Sequence, residues 1–381
     1  MRRVYRLILG VMLFTTAWSV ADLLPPASPA QAAPSDCDAS LPGAGSVYFG
    51  GWIPAALDNP KTPRSQDPLG RFEEIAGKRV SILQRWEHWG LGPGGRVDIK
   101  WLRRVTEAGA LPMITWVPWN PTIKKPEFQR GFLLKDIAAG RFDSYISDIA
   151  SEVAEWNGPI FIRWAQEMNG TWYPWGKHQN DPADYIAAWR HIHEIFQRKG
   201  ATQVTWVWNP SEKNHPESLG LWYPGDDYVD WVAVDGYNWD DANYWKDESG
   251  NTWRTPEQVW APSFDDITTF VGREKPWMIA ETATPERRGE PGKKASWICD
   301  AFRRTIPERF PRVKAVMWFQ QPTDEGGKPF GWQADTSGAS REAFARAVEP
   351  GFYVTDIADA IRRLGRARIP EPSVLLALPA S

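Results

Sequence analysis

The sequence predicts an α/β fold, a single (β/α)8 TIM barrel, and three observations predict it. Eight short β-rich runs recur along the 381 residues with helical periodicity between them, the count such a barrel requires. No G-x-G-x-x-G or G-x-x-x-x-G-K-[ST] follows an early run, which removes the open doubly wound sheet with a nucleotide site. Polar residues gather at the C-terminal ends of the runs, where a parallel barrel keeps its chemistry.

The runs are Ser46 to Gly50, Arg79 to Arg85, Leu111 to Val117, Pro159 to Ala165, Gln203 to Trp208, Val229 to Asp235, Pro276 to Ala280 and Val313 to Phe319. The clearest helix starts at Asp181-Pro182, a cap residue followed by Pro in the first turn, and ends at Gly200. Tyr185, Trp189, Ile192 and Phe196 share one of its faces, which should pack on the barrel. Similar patterns cover Val97 to Ala108, Leu133 to Trp156, Pro256 to Val271 and Lys293 to Phe310; the helix after the fifth strand reads as short or irregular.

No linker divides the chain, so residues 33–366 are expected to form one domain. Before it, Arg2, Arg3 and Arg6 precede an apolar run from Leu7 to Ala21 and a small-residue stretch holding Ala30-Gln31-Ala32. Residues 1–32 are therefore expected to be a signal peptide cleaved after Ala32 or an uncleaved N-terminal anchor. Either places the protein outside the cytoplasm, secreted or in the cell envelope, with membrane contact only if the anchor stays. Residues 367–381 are Pro-rich and expected to be a loose tail. Cys37 and Cys299 are the two cysteines; whether they pair is left open by the sequence.

A net charge of −3 without long basic runs gives nucleic acid no footprint, and a neutral or weakly charged ligand is expected. Tryptophan is the outlier, 24 residues, more than a core needs. Trp buries large area yet wants a partner for its N–H, which suits half-wet surfaces such as a sugar cleft. The five histidines do not cluster: His191 and His193 are two apart on a helix and cannot share one metal ion. With no G-x-S-x-G elbow either, the expectation is no metal, no cofactor and no serine nucleophile.

Two carboxylates remain. The fourth run ends in Gln166, Glu167 and Asn169, and the seventh ends an apolar stretch with Glu281. Strands four and seven lie across the mouth from each other, so the two glutamates can face one another. That suits glycosidic cleavage, with Glu167 giving a proton to the leaving oxygen and Glu281 attacking the anomeric carbon. Alternation along the fourth strand puts Arg163 on the side of Glu167.

The segment Arg163-Trp-Ala-Gln-Glu-Met-Asn-Gly-Thr-Trp-Tyr-Pro-Trp-Gly176 resembles the acid/base motif of glycoside hydrolase family 26, the family of β-mannanases and some lichenan- and xylan-cleaving enzymes. Met278-Ile-Ala-Glu-Thr-Ala283 resembles its nucleophile strand, and Val232-Ala-Val-Asp-Gly-Tyr-Asn-Trp239 its sixth strand. The resemblance covers roughly residues 46–335. It implies a retaining double displacement, a polysaccharide substrate with β-1,4-mannan foremost, Tyr237 hydrogen-bonded to the nucleophile, and Trp318 flooring the subsite of the attacked sugar. Further substrate-lining expectations are Trp172, Trp116 and His88, with Trp89, Trp119, Trp175, Trp208 and Trp239 evenly divided between sugar platform and loop packing. Where the family mostly carries His before the acid/base, this chain has Gln166, which cannot become cationic. Asp235, ending the sixth run, is expected to be structural. The chain is read as a monomer, and a non-catalytic glycan-binding barrel stands as the competing expectation.

Overall fold

The computed structural model describes Cys37, Leu41, Gly43 and residues 46–90, 95–123, 129–213, 215–240, 252–323, 331–349, 351–355, 357–365 and 367–379. The segment 1–32 lies outside the described residues.

Eight parallel strands close into a barrel: β1 (Val47–Trp52), β2 (Ile82–His88), β3 (Leu111–Val117), β4 (Ile160–Trp164), β5 (Val204–Trp208), β6 (Trp231–Asp235), β7 (Trp277–Thr282) and β8 (Val313–Phe319). Closure is made by β1, which pairs with β8 through Tyr48 to Trp52 and with β2 through Gly50 to Trp52. A two-residue strand, β9 (Tyr353–Val354), pairs with the start of β1.

The helices follow as α1 (Pro68–Ala76), α2 (Ile99–Glu107), α3 (Leu134–Ala138), α4 (Asp143–Trp156), α5 (Pro182–Arg198), α6 (Pro256–Ile267), α7 (Lys293–Asp300), α8 (Gly338–Ala347), α9 (Ala358–Leu364) and α10 (Pro372–Leu376). In α5, Tyr185, Trp189, Ile192 and Phe196 are all buried, as the helical spacing requires, though the Asp181 side chain makes no capping bond. The pattern over 133–156 resolves into α3 and α4, separated at Gly140, whose φ of 84° only glycine tolerates freely. Short 3-10 turns over Leu219–Trp222 and Asp226–Tyr228 replace a fifth outer helix.

Side chains of alternate strand residues fill the lumen. Its floor is apolar, built from Tyr48, Met113, Phe161, Trp231, Met278 and Met317, and its upper layer is polar, with Gln84, Thr115, Arg163, Asn209 and Asp235 buried. The C-terminal segment is not a loose tail. Ile369 and Leu375 are buried against the floor, Trp231 Nε1 donates to the Ile369 carbonyl at 3.1 Å, and the Tyr48 hydroxyl donates to that of Pro370 at 3.1 Å. Proline-rich composition hid two isolated apolar anchors, which suffice to seat a segment already held by backbone hydrogen bonds. Cys37 is bonded to Cys299 on α7, across 262 residues, with Cα atoms 4.7 Å apart.

Candidate active site

Both glutamates reach the mouth by breaking regular strand geometry. Strand β4 ends at Trp164, after which Ala165 and Glu167 take φ values of 45° and 55°, in the left-handed region that L side chains adopt at a cost. The turn is held by the Glu167 N–H, which donates to the Asn209 carbonyl at 2.7 Å, and by Gly170 N–H donating back to the Glu167 carbonyl at 2.9 Å. On β7, Met278 and Ala280 point into the lumen and Ile279 outward, so strict alternation would send Glu281 outward as well. The register against β6 shifts between Val234 and Asp235, and that against β8 between Ile279 and Thr282. These irregularities turn Glu281 into the mouth, as bulges beside active sites do.

Glu281 is an acceptor of three hydrogen bonds. Its Oε1 accepts from Gln84 Nε2 at 3.1 Å and, in a short ion-paired contact, from Arg163; its Oε2 accepts from the Tyr237 hydroxyl at 2.6 Å. Tyr237 sits where the resemblance implied. Burial, then the Glu281 charge, raises its phenol well above the usual range, so it stays a donor.

Arg163 is fully buried and bridges the polar layer. It donates to Thr115 Oγ1 at 2.9 Å, Asn209 Oδ1 at 3.1 Å and both Asp235 oxygens at 3.0 Å as well as to Glu281. Burial opposes its charge, but Asp235 and Glu281 outweigh burial and hold it cationic. Asp235 touches the guanidinium rather than open space, consistent with a structural place; burial raises its carboxyl while Arg163 pulls it back.

Glu167 has a different environment. Its Oε2 accepts from Trp172 Nε1 at 2.7 Å, and Trp172 is 44% exposed, the one exposed tryptophan among the described residues. Burial first, and the Glu281 charge second, push the Glu167 carboxyl up to about 7; the Trp172 bond and Arg163 act in the opposite sense. One glutamate is thus tied to one cation and two neutral donors, and the other is poised to keep a proton near neutrality.

Several expected platforms face the wrong way. Trp318 and Trp116 are fully buried on the outer side of their strands, Trp318 against Phe302 and Phe344, Trp116 against Trp89, Tyr145 and Phe196. Neither can floor a sugar subsite. On β8 the lumen position is Phe319, beside Tyr237 at 5.7 Å. Trp208 and Trp175 are also fully buried, their N–H groups donating to the carbonyls of Trp222 and Gln166. Trp89 packs in the aromatic layer behind the mouth. His88 does reach the mouth, stacked between Trp86 and Trp119, and burial lowers it to about 4, so it is neutral there. Gln166 is buried, and neither amide atom has a hydrogen-bond partner. Trp239 lies half-buried against Tyr237 and Trp332.

Sequence reasoning missed Gln84 and Trp86, which share the lumen face of β2 with His88; Arg163 lies 5.9 Å from the Trp86 ring centre. A glutamine after an apolar pair, two and four positions before the Trp and His it accompanies, was the available signal. Trp332, stacked on Tyr237 at 4.5 Å and 14°, carries no such signal, because it arrives from a loop.

A closed (β/α)8 barrel with two environment-split glutamates on opposite strand ends defines the class of barrel glycoside hydrolases. Residues 112–250 match the model of glycosyl hydrolase family 26. It is 32% identical over 316 residues to Endoglucanase H of Acetivibrio thermocellus, an alignment covering 80% of this chain and 31% of that protein. It is 30% identical over 118 residues to a beta-1,3-xylanase of a Vibrio species, covering 29% of this chain and 25% of that one. The chain thus spans less than a third of these relatives' lengths. Among solved structures, a GH26 beta-mannanase from Bacteroides ovatus superposes with a TM-score of 0.60 at 15% identity, covering 82% of this chain and 90% of that one, a likeness of fold.

Proposed function

We propose that the protein is an endo-acting, retaining hydrolase of a β-linked polysaccharide, β-1,4-mannan foremost. One observation carries this reading: Glu281 is presented purely as an acceptor to Gln84, Arg163 and Tyr237, while Glu167 is raised to about 7. Glu281 attacks the anomeric carbon as the glycosidic bond breaks, and Glu167 passes its proton to the leaving oxygen. Water then attacks the glycosyl-enzyme, losing a proton to the Glu167 carboxylate, and Glu281 is released. Trp172 stands beside the leaving oxygen as a ring on which the departing sugar can stack. No step calls on a metal or cofactor.

A second backbone, β-glucan, is favoured by the similarity to Endoglucanase H over most of the chain. We also propose export to an oxidising compartment, which the Cys37 to Cys299 bond supports.

The test is hydrolysis of mannan, mixed-linkage glucan and xylan, with oligosaccharide products resolved and the first-formed anomer read by NMR. The β anomer is expected, and Glu167→Gln and Glu281→Gln should each cut kcat by at least about a thousandfold in a folded protein (on the order of 4 kcal/mol). Turnover persisting in either variant, or an α anomer formed first, overturns the mechanism.

A further inference from the structure

Outside the site already described, the most unusual buried group is Lys294, in the first turn of α7. It is fully buried, and its ammonium donates to the carbonyls of Gly331 at 2.7 Å and Gln333 at 2.7 Å and to Thr336 Oγ1 at 2.9 Å. Three donors meet three acceptors, which a buried cation needs. Among the described residues no carboxylate pairs with it, and burial lowers its pKa to about 7 against the pull of Glu286 and Asp335.

All three acceptors belong to the β8–α8 connection, and two of them flank Trp332. The carbonyl between them, that of Trp332 itself, accepts from Trp318 Nε1 at 2.9 Å, and the Ala334 N–H donates to Gln320 Oε1 at 3.0 Å. Three consecutive carbonyls are therefore pinned from the barrel wall. The indole so fixed lies parallel on Tyr237, with Trp239 at 4.9 Å and Phe319 at 5.8 Å closing the box around both rings. Tyr237 in turn donates to Glu281.

We propose that Lys294 is a positioning residue: by clamping the backbone on either side of Trp332, it sets the plane of Tyr237 and hence the hydrogen bond that aims the nucleophile Glu281. The proposal rests on the two-glutamate reading above. Reacting groups lose rate steeply when misplaced by about 1 Å, so a clamp remote from substrate can act on kcat while leaving binding unchanged.

Lys294→Met retains bulk and removes all three donors; Trp332→Phe loosens the same stack from its other side. Each is expected to lower kcat about tenfold with KM within about twofold, and, measured again in a Tyr237→Phe background, to lower it no further. Near-UV circular dichroism reads the Tyr237–Trp332 stack without turnover: the band lost in Trp332→Phe identifies it, and Lys294→Met should weaken that same band. That band still tests the clamp if no glycan is hydrolysed, so failure of the glycanase reading and failure of the clamp are told apart. An unchanged band, an unchanged kcat, or an equal kcat loss with and without the Tyr237 hydroxyl overturns the proposal. If Lys294→Met does not fold, Thr336→Val, which removes one of the three acceptors and leaves Lys294 and Trp332 in place, decides by the same criteria.

Discussion

The two ends of the barrel solve opposite problems with the same strands. At the floor, Tyr48, Phe161 and Trp231 fill the lumen, Phe161 and Trp231 meet edge to face at 5.4 Å, and the C-terminal segment covers them. The Tyr48 and Trp231 polar tips each find one carbonyl, and among the described residues no charged side chain joins that layer. At the mouth, one guanidinium and two carboxylates are almost completely buried within hydrogen-bonding distance of one another. Burying that set costs stability that hydrophobic residues of the same volume would not. The barrel therefore keeps packing and chemistry apart along its axis, and changes at one end should leave the other quantity alone.

The most severe way to break that division is Arg163→Met. It strands Asp235 and Glu281 without their cation, so it should cost about 3–5 kcal/mol of stability in urea unfolding. It should also lower kcat/KM by about a hundredfold or more, on the order of 3 kcal/mol of transition-state stabilisation. This is the one site where both ends of the comparison fail together. Trp231→Ala should sharpen the comparison instead: a loss of about 3–5 kcal/mol with kcat unchanged where the protein is folded. A fall in kcat there would show that floor and mouth are coupled.

The smallest effect concerns pH. Because burial raises Glu167 from the ordinary carboxylate range to about 7, its proton is held up to that pH and lost above it. kcat/KM should fall on the alkaline side of about pH 7, and the raised carboxyl's contribution to stability is lost as pH climbs from the ordinary range through 7. Trp172→Phe removes the donor that favours the anion, so the alkaline limb should move up by about one pH unit, roughly 1.4 kcal/mol. A limb that moves down would contradict the hydrogen bond's assigned sense.

These outcomes separate what was legible in the sequence from what was not. The eight strands were legible because apolar runs between helical patterns carry the count. Glu167 and Glu281 were legible because a carboxylate ending such a run has few structural uses. The facing of the aromatics was not. Barrel strands are apolar on both sides, so nothing in Val313 to Phe319 says that Trp318 looks outward and Phe319 inward, and an error of one residue exchanges the two faces. The glutamates show the same limit from the other side: simple alternation put Glu167 on the side of Arg163, yet the left-handed turn after Trp164 is what sets its place at the mouth. Tyr237 followed from its motif, whereas Gln84, half a barrel away in sequence, could be joined to Glu281 only by closure of the sheet.

Closure has a further consequence. A barrel is a ring cut once, and the cut lies where the first strand meets the last. Here the residues just before β1 are tied covalently to α7 through Cys37 and Cys299, and β9 returns to lie along the opening turns of β1. The chain thus forms a covalent hoop around seven of its eight strand–helix units. The first strand cannot peel away without dragging a late helix with it. Reduction should act first at this seam and reach the catalytic mouth only when the hoop opens, giving the enzyme a defined place to begin to fail.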